Sequence, residues 1–215
     1  EDGGDNSSLL EKIDIGSVKL ESIAEVRNGI QAYTVGEGTP SLTDEMKNTR
    51  AYHSKAKNGD DWLKYVDGVD VGRYKLGWSG QFIKYGNNLS RPRKKEFFIN
   101  ERLLVRQIPS PPPYSIFSCY VNETVVNDNN SMIITNVTNG YHLKTILALL
   151  NSRLISYWFL QKLGKLQRKV FPQFKIKELR EFPIKYFDFS LAKDIELQNV
   201  LIGLVDDYEK LNQKG

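Results

Sequence analysis

The sequence predicts an α+β domain in which a twisted, mostly antiparallel sheet or small barrel is packed by a central helix and followed by a C-terminal helix. Between Val18 and Val137, short runs rich in β-branched and aromatic residues alternate with turns rich in Gly, Pro and Asn, a pattern typical of strands. Between Tyr141 and Leu163, apolar residues recur every three or four positions, the period of a helix that buries one face. Residues 190–213 repeat that period.

The first part of the chain carries the weakest signals. Residues 1–14 begin Glu-Asp-Gly-Gly-Asp without Met. We therefore expect a fragment of a longer protein, with a first segment that is either disordered or foreign to the native sequence. Residues 15–28 predict a short helix or a pair of strands, and residues 31–40 predict a loop. Two aromatic strands are predicted further on, at Arg73–Trp78 and Phe82–Gly86.

The middle of the chain carries the clearest strand signals. Strands are predicted at Arg102–Ile108, Tyr114–Val121 and Ser131–Val137, bounded by Pro-rich and Asn-rich turns. The single cysteine, Cys119, excludes an internal disulfide. Because Cys119 lies in an apolar run, we expect a small buried side chain rather than a nucleophile.

The two predicted helices differ in their apolar faces. The central one carries a stripe formed by Leu143, Leu147, Leu150, Leu154 and Trp158. Gly164 suits the left-handed conformation that ends many helices. The C-terminal one, with Ser190 as a candidate N-cap, carries a short heptad seam formed by Leu197, Leu201, Leu204, Tyr208 and Leu211. Two alternatives stay open for it: packing on its own domain, or docking onto the rest of a larger protein.

No signal for catalysis or for a membrane span stands out. The segment Ser110–Tyr114 is similar to the Asn/Asp/Ser-Pro-Pro-Tyr/Phe motif of amino-methyltransferases, but an extra proline shifts its register and no Gly-rich cofactor loop precedes it. We interpret it as a polyproline turn between strands. His53 and His142 are far apart, and no metal-ligand spacing is present. No run of about 18 apolar residues exists. We therefore predict no catalytic, metal or cofactor site in this chain.

Several segments together resemble a known family. They are residues 147–154, 171–175, 176–179 and 182–184, with weaker matches at 28–30 and 99–106. In these segments the chain resembles the target-recognition domain of restriction-modification proteins. The form it resembles most is the TaqI-like C-terminal specificity domain of N6-adenine DNA methyltransferases and fused methylase-nucleases (type IIG). Type I specificity subunits carry similar domains. The resemblance covers about residues 18–187.

The resemblance implies a sequence-specific module that binds double-stranded DNA and is not catalytic by itself. A methyltransferase domain, in the same or another chain, would bind S-adenosylmethionine and flip the target adenine. The implied DNA-recognition domain spans residues 15–187, and residues 188–215 form a C-terminal helix that docks or makes a short coiled coil. A cytoplasmic setting without membrane contact is expected. The alternative is a docking module of a methylase complex that does not bind DNA independently.

The net charge of +4 is weak evidence for nucleic-acid binding by itself. We therefore select the candidate DNA contacts by the clustering of basic residues in the sequence. The first basic cluster comprises Arg91, Arg93, Lys94, Lys95, Arg102 and Arg106; the second comprises Lys162, Lys165, Arg168, Lys169, Lys175, Lys177 and Arg180. Both clusters suit phosphates. Loop residues that could read base edges are Gln31, Tyr33, Arg50, Tyr52, Lys55, Arg73, Tyr74, Lys84, Tyr85, Asn87 and Asn88. The alternative for each is a solvated basic surface with aromatic residues in the core.

Overall fold

The computed structural model describes residues 3–164 and 173–213. In chain order the strands are β1 (Ser17–Lys19), β2 (Glu25–Asn28), β3 (His53–Ser54), β4 (Trp62–Val66), β5 (Gln81–Lys84), β6 (Arg102–Arg106), β7 (Ser118–Val121), β8 (Val126–Asn127), β9 (Ser131–Thr135) and β10 (Pro183–Lys185). The helices are α1 (Gly3–Ile15), α2 (Asp44–Asn48), α3 (Leu143–Leu150), α4 (Arg153–Leu163), α5 (Ile176–Arg180) and α6 (Ala192–Gln213).

The strands form open sheets rather than a closed barrel, and the predicted α+β class is confirmed. A central antiparallel sheet has the order β2-β9-β6-β7. A second sheet has the order β3-β5-β4-β8 and is antiparallel except for the β4–β8 pair. Strands β1 and β10 form a separate antiparallel pair.

The central sheet lies between two apolar layers, because neighbouring side chains of a strand point to opposite faces. On β6, Leu103 and Val105 pack with α3, α4 and α5, whereas Leu104 packs with the second sheet. Strand β9 divides its side chains in the same way. Both faces of the sheet are therefore covered, which explains why its strands are apolar without interruption. Cys119 is fully buried on the side of the second sheet, as predicted.

The central helix departs from its prediction, because it is divided into α3 and α4. Asn151 and Ser152 separate the two helices, and Asn151 is wholly buried. Ser152 caps α4 by accepting a hydrogen bond from the Ile155 amide at 3.1 Å. Gly164 ends α4 with a φ of 55°, as the sequence predicts.

Three other predictions need correction. Residues 1–14 were predicted to be a disordered or foreign lead, and helix α1 spans Gly3–Ile15 in this region. The predicted strand Arg73–Trp78 is irregular, and only the bridge between Val71 and Leu76 falls near it. Ser190 does not cap α6, because its hydroxyl donates to the carboxylate of Asp188 at 2.6 Å. Helix α6 begins two residues later, at Ala192.

Helix α6 packs against α3, in agreement with the first of the two alternatives. The Gln198 side chain accepts a hydrogen bond from the Thr145 hydroxyl at 3.2 Å and donates one to the Gly140 carbonyl at 3.0 Å. Lys144 forms ion pairs with Asp206 and Glu209. Most residues of the predicted heptad seam are exposed on the side of α6 that does not pack on α3: Leu197, Leu204, Tyr208 and Leu211. We call this the outer side of α6. No helix in the part of the chain that the structure describes is long and apolar enough to cross a membrane.

Candidate nucleic-acid interface

Segments from both halves of the chain meet at one end of the central sheet. There β2 ends at Asn28, next to the start of β9, and β6 ends at Arg106 opposite Ser131. Ile30 forms a bridge with Asp128, which joins this end to the turn after β8. We call this region the sheet-end face and define it by residues 27–31, 50, 67, 91–95, 106, 128–130 and 176–180.

Three arginines from distant parts of the sequence line one cavity on the sheet-end face. The cavity has a volume of about 190 Å³ and is lined by Arg27, Asn28, Arg93, Phe97 and Arg180, with two aliphatic residues completing the wall. Arg93 belongs to the first predicted basic cluster and Arg180 to the second. The fold therefore brings together one member of each cluster, two arginines that are 87 residues apart in sequence. We call this cavity the arginine pocket.

The loop that carries Arg93 is fixed by a tyrosine. The Tyr85 hydroxyl lies 2.9 Å from the Pro92 carbonyl and 2.7 Å from the Arg93 carbonyl, and it donates its proton to this pair. Burial raises the pKa of Tyr85 to about 12, which keeps the phenol protonated as a donor. Arg93 has a φ of 64°, and its Nε lies 3.4 Å from the Gly29 carbonyl. A non-glycine residue in this conformation costs energy, and such residues cluster at functional sites.

The other two arginines are held by short local contacts. The Arg27 guanidinium donates to the Glu25 carboxylate at 3.0 and 2.7 Å and lies over the Phe97 ring, 4.5 Å from its centroid. The Arg180 guanidinium reaches the Val26 carbonyl at 3.4 Å. An arginine has five N–H donors, so each side chain keeps donors that these contacts do not use.

Arg50 provides a second strained cation at the sheet-end face. Its φ is 51°, and its guanidinium lies 3.5 Å from the Asp67 carboxylate and 5.6 Å from the centre of the Tyr65 ring. The Tyr65 hydroxyl donates to the same carboxylate at 3.0 Å. Asp67 therefore orients Arg50 at the rim, where the side chain is 41% exposed.

An aromatic cluster supports the segment next to Arg50. The Tyr33 hydroxyl accepts a hydrogen bond from the Tyr52 amide at 2.8 Å and lies 2.9 Å from Nδ1 of His53. Burial and, to a smaller degree, the charge of Arg50 lower the pKa of His53 to about 4, so its imidazole is neutral at pH 7. The Tyr33 hydroxyl and Nδ1 of His53 therefore share one hydrogen bond between neutral groups. Tyr33 and Tyr52 thus hold the loop rather than point freely outward.

Polar atoms without partners concentrate near this end of the molecule. Among the described residues, buried side-chain atoms that lack a hydrogen bond include Asn28 Oδ1, Arg106 Nε, Asn127 Oδ1 and Asp128 Oδ1. Burial, followed by the charge of Asp67, raises the pKa of Asp128 to about 7. Unpaired buried polar groups are rare in folded proteins, so four of them near one end of the sheet make this region a candidate site.

Several other predicted residues lie at or beside the sheet-end face. Gln31 bridges the backbone of Arg91, and its amide donates to the Thr34 hydroxyl at 2.8 Å. The Arg91 guanidinium lies 3.2 Å from Glu37. Lys94 and Lys95 are exposed beside the arginine pocket.

Other predicted residues lie elsewhere. Arg73 and Tyr74 lie beside β7, the edge strand opposite β2. The Arg73 Nε donates to the Asn151 carbonyl at 3.2 Å and its guanidinium covers Tyr114 at 3.9 Å, so we assign both residues a packing role. The exposed residues Lys55, Lys84 and Asn87 lie on or next to the second sheet.

Arg102 does not belong to a surface cluster, although the sequence placed it in one. It is 1% exposed and donates to the carbonyls of Asn100, Glu123 and Val125 at 2.8, 3.3 and 2.7 Å. Burial lowers the pKa of Arg102 to about 10. Lys165, Arg168 and Lys169 lie outside the described residues.

Four residues of this region were not singled out from the sequence: Arg27, Asn28, Phe97 and Asp128. One signal did point to the place, because Asn28 opens the Asn-Gly-Ile segment that resembles the start of a recognition domain. Gly29 has a physical reason to be there. A Cβ at this position would lie 2.1 Å from the Asp128 carbonyl oxygen and 2.4 Å from that of Asn127.

The chain also resembles parts of larger solved proteins. It matches the HsdS subunit from Thermoanaerobacter tengcongensis with 11% identity and a TM-score of 0.46, over 96% of this chain and 44% of that one. It matches a chain of a type I restriction-modification system with 12% identity and a TM-score of 0.47, over 98% and 47%. It matches the Type IIL enzyme MmeI, solved with DNA, with 14% identity and a TM-score of 0.41, over 84% and 26%. The chain spans less than half the length of each.

The family comparison covers the strands from β4 to β9 and helices α3 to α5, but not β2 and β3. No curated protein sequence matches the chain. The model of the TaqI-like C-terminal specificity domain matches residues 63–184, which is more than half of the 215 residues. The resemblance to this family that the sequence suggested is therefore confirmed, and the chain belongs to the family of TaqI-like C-terminal specificity domains.

Proposed function

We propose that this chain reads a short sequence in double-stranded DNA for a restriction-modification N6-adenine methyltransferase and catalyses no reaction itself. The observation that carries the proposal is the meeting of two distant basic segments, residues 91–95 and 175–180, around one cavity at the sheet-end face. A surface that combines strained arginines with unpaired buried polar atoms is suited to an anionic, polar partner. Membership of a specificity-domain family supports the same function.

We assign the exposed side chains either to contacts with phosphates or to contacts with base edges. Lys94, Lys95 and the arginine pocket would contact phosphates, which fixes the position of the duplex without reading its sequence. Arg50, held at the rim by Asp67, would offer its planar guanidinium to a guanine edge. Gln31 would offer an amide to an adenine edge.

The chemistry would belong to a partner domain. A methyltransferase domain, in the same chain or another and with or without a nuclease as in type IIG enzymes, would bind S-adenosylmethionine and receive the flipped adenine. In the described part of this chain, no group of three or more His, Cys, Asp and Glu residues is placed to hold a metal ion. The proposed setting is the cytoplasm, where such an enzyme meets DNA.

The experiment that tests sequence reading is a selection from random duplexes. The immobilised chain would be incubated with a library of double-stranded oligonucleotides at moderate salt, and the retained molecules would be sequenced over several rounds. We expect enrichment of one short motif, and Arg50→Gln should relax the preference at one base pair by about 1–3 kcal/mol. Retention of duplex without any enriched motif would contradict sequence reading.

A second candidate, a docking module, is favoured by one observation. On the outer side of α6, Leu197, Val200, Leu204 and Leu211 are 38%, 51%, 61% and 70% exposed. An apolar stripe of this kind is unusual on a free surface helix and suits a second helix. If the chain bound no duplex but co-purified with a methylase subunit, and Val200→Glu with Leu204→Glu abolished the association, this candidate would replace the first.

A further inference from the structure

We infer that the arginine pocket is a binding site for a single backbone phosphate of the DNA duplex, and that Arg27, Arg93 and Arg180 hold this phosphate together. The inference rests on the proposed function, because it names which group of the duplex this part of the surface takes. It assigns a ligand to Arg27, Asn28 and Phe97, which the sequence did not single out.

The lining of the arginine pocket carries an excess of positive charge. Three arginines line it, and their guanidinium groups stay protonated. No lining residue that the structure describes is acidic. Glu25 lies outside the lining and pairs with Arg27 alone, at an exposed position where such a pair contributes little. The mutual repulsion of three cations around one small cavity favours the entry of an anion.

A second cavity of the same molecule is lined by cations that are each paired with a carboxylate. It has a volume of about 410 Å³ beside Trp158. Its Lys162 pairs with Asp14 at 2.8 Å, and its Lys19 pairs with Glu181 at 2.6 Å. Each cation there has its own carboxylate in the cavity wall. In the arginine pocket only Arg27 has such a partner, Glu25, which lies outside the wall. Among the described residues no carboxylate pairs with Arg93 or Arg180, so their charge is available to a ligand.

The size and shape of the pocket restrict the ligand. Its volume of about 190 Å³ is below the range of about 300–1,000 Å³ that is usual for whole small-molecule ligands. It suits one compact group rather than a nucleoside. Planar guanidinium forks match the oxygens of a phosphate, and three forks around one cavity can serve its two free oxygens from different sides.

The pocket is also held ready before a ligand arrives. Phe97 supports the Arg27 guanidinium from below, and Tyr85 fixes the backbone that carries Arg93. Asn28 lines the same pocket with a buried Oδ1 that has no partner. Binding of an anion would therefore require little further ordering of these side chains and would cost little conformational entropy.

The test compares the salt dependence of duplex binding among variants of the chain. Binding of a fluorescent 20-base-pair duplex would be followed by anisotropy at several salt concentrations. Each single change, Arg27→Gln, Arg93→Gln or Arg180→Gln, should weaken binding by about tenfold at moderate salt. The triple variant should lower the slope of log K against log salt by about one rather than three, because the three arginines share one phosphate.

The control removes the same charge elsewhere. The triple variant Lys75→Gln, Arg153→Gln, Lys193→Gln changes three exposed cations outside the sheet-end face and should leave the slope within a few tenths of the parent value. A slope change of about three in the arginine variant would show three separate phosphates and would overturn the shared site. An unchanged slope and affinity would overturn the inference while leaving the proposed function intact.

A second readout separates the possible sources of phosphate. The Nε–H resonances of the three arginines would be followed by NMR during titration with inorganic phosphate and with the duplex. We expect the duplex to shift all three at far lower concentration than inorganic phosphate. If only inorganic phosphate shifted them, the pocket would be a site for the free ion and the duplex assignment would be wrong. If the unaltered chain bound no duplex at any salt concentration, the proposed function and this inference would fail together.

Discussion

Asn151 and Ser118 are joined by three hydrogen bonds, each 2.9 Å long. The Asn151 carboxamide oxygen accepts from both the amide and the hydroxyl of Ser118, and its Nδ2 donates to the Ser118 carbonyl. Ser118 begins β7, the edge strand of the central sheet, so one side chain between α3 and α4 completes the backbone hydrogen bonding of that edge. This contact fixes the helices against the sheet.

Loss of the Asn151 side chain should therefore destabilise the fold. Asn151→Ala removes three buried hydrogen bonds and leaves the Ser118 amide without a partner, whereas the Ser118 carbonyl keeps the Tyr74 amide as a donor at 2.8 Å. We therefore expect a loss of about 3 kcal/mol in the free energy of unfolding. Urea denaturation followed by circular dichroism measures this. Asn199→Ala, on an exposed position of α6, is the matched control and should change stability by less than about 0.5 kcal/mol. A loss below about 1 kcal/mol for Asn151→Ala would refute the assigned role.

The break at Asn151 also shows where sequence reasoning stops. The apolar period runs without interruption through residues 143–158, and that period predicts one helix. Whether an asparagine inside such a run stays helical depends on a partner that is far away in sequence, here Ser118. Periodicity contains no information about this partner. The period therefore predicted the buried face correctly and missed the division into α3 and α4.

Arg102 illustrates the same limit for charge. In the sequence it belongs to a basic run and looks like a phosphate contact. In the structure it is buried, and three carbonyl groups accept hydrogen bonds from its two terminal nitrogens. By contrast, the proximity of residues 91–95 to residues 175–180 could not be predicted from the sequence of either segment, because only the tertiary structure brings them together. The family resemblance, the strands from Arg102 onward and the buried Cys119 were predictable because each rests on a local pattern.

Arg102 should matter for stability and not for DNA. Arg102→Met keeps the length of the side chain but leaves three carbonyl groups without a donor, so we expect destabilisation by about 2–4 kcal/mol. Thermal unfolding measures the stability, and anisotropy at several salt concentrations measures the slope for duplex binding. The slope should stay unchanged at temperatures where the variant is folded. A fall of about one in the slope, with normal stability, would return Arg102 to the DNA contacts.

The buried carboxyl of Asp128 should make stability depend on pH. Its pKa rises from 3.8 to about 7 on folding, so between these values the folded chain binds more protons than the unfolded chain, and stability falls as pH rises. Asp128→Asn cannot ionise and should exceed the parent protein in stability at pH 8 by on the order of 2 kcal/mol.

The pH profile of the same pair of proteins provides the control. The advantage of Asp128→Asn should shrink as the pH falls from 7 towards 4, where the parent carboxyl is protonated in the folded chain. His53 titrates with the opposite sign in that window, but it is present in both proteins and its contribution cancels in the difference. Equal stability of the two proteins at pH 8 would rule out a costly ionised Asp128.

Tyr85 should influence DNA binding without touching DNA. Tyr85→Phe keeps the ring packed on Phe98 and removes the hydroxyl that fixes the backbone at Pro92 and Arg93. We expect duplex affinity to fall by about three- to tenfold because the loop must be ordered on binding. Stability should fall by only about 1 kcal/mol. Unchanged affinity would show that this hydrogen bond does not prepare the arginine pocket.

We propose that the chain binds double-stranded DNA through phosphate contacts at the sheet-end face. The most direct test is the affinity of the chain for a random-sequence duplex at salt concentrations from low to physiological. With about five phosphate contacts, log K should fall against log salt with a slope of about −4 to −5. Failure to bind the duplex even at low salt would contradict the proposal that this chain binds double-stranded DNA.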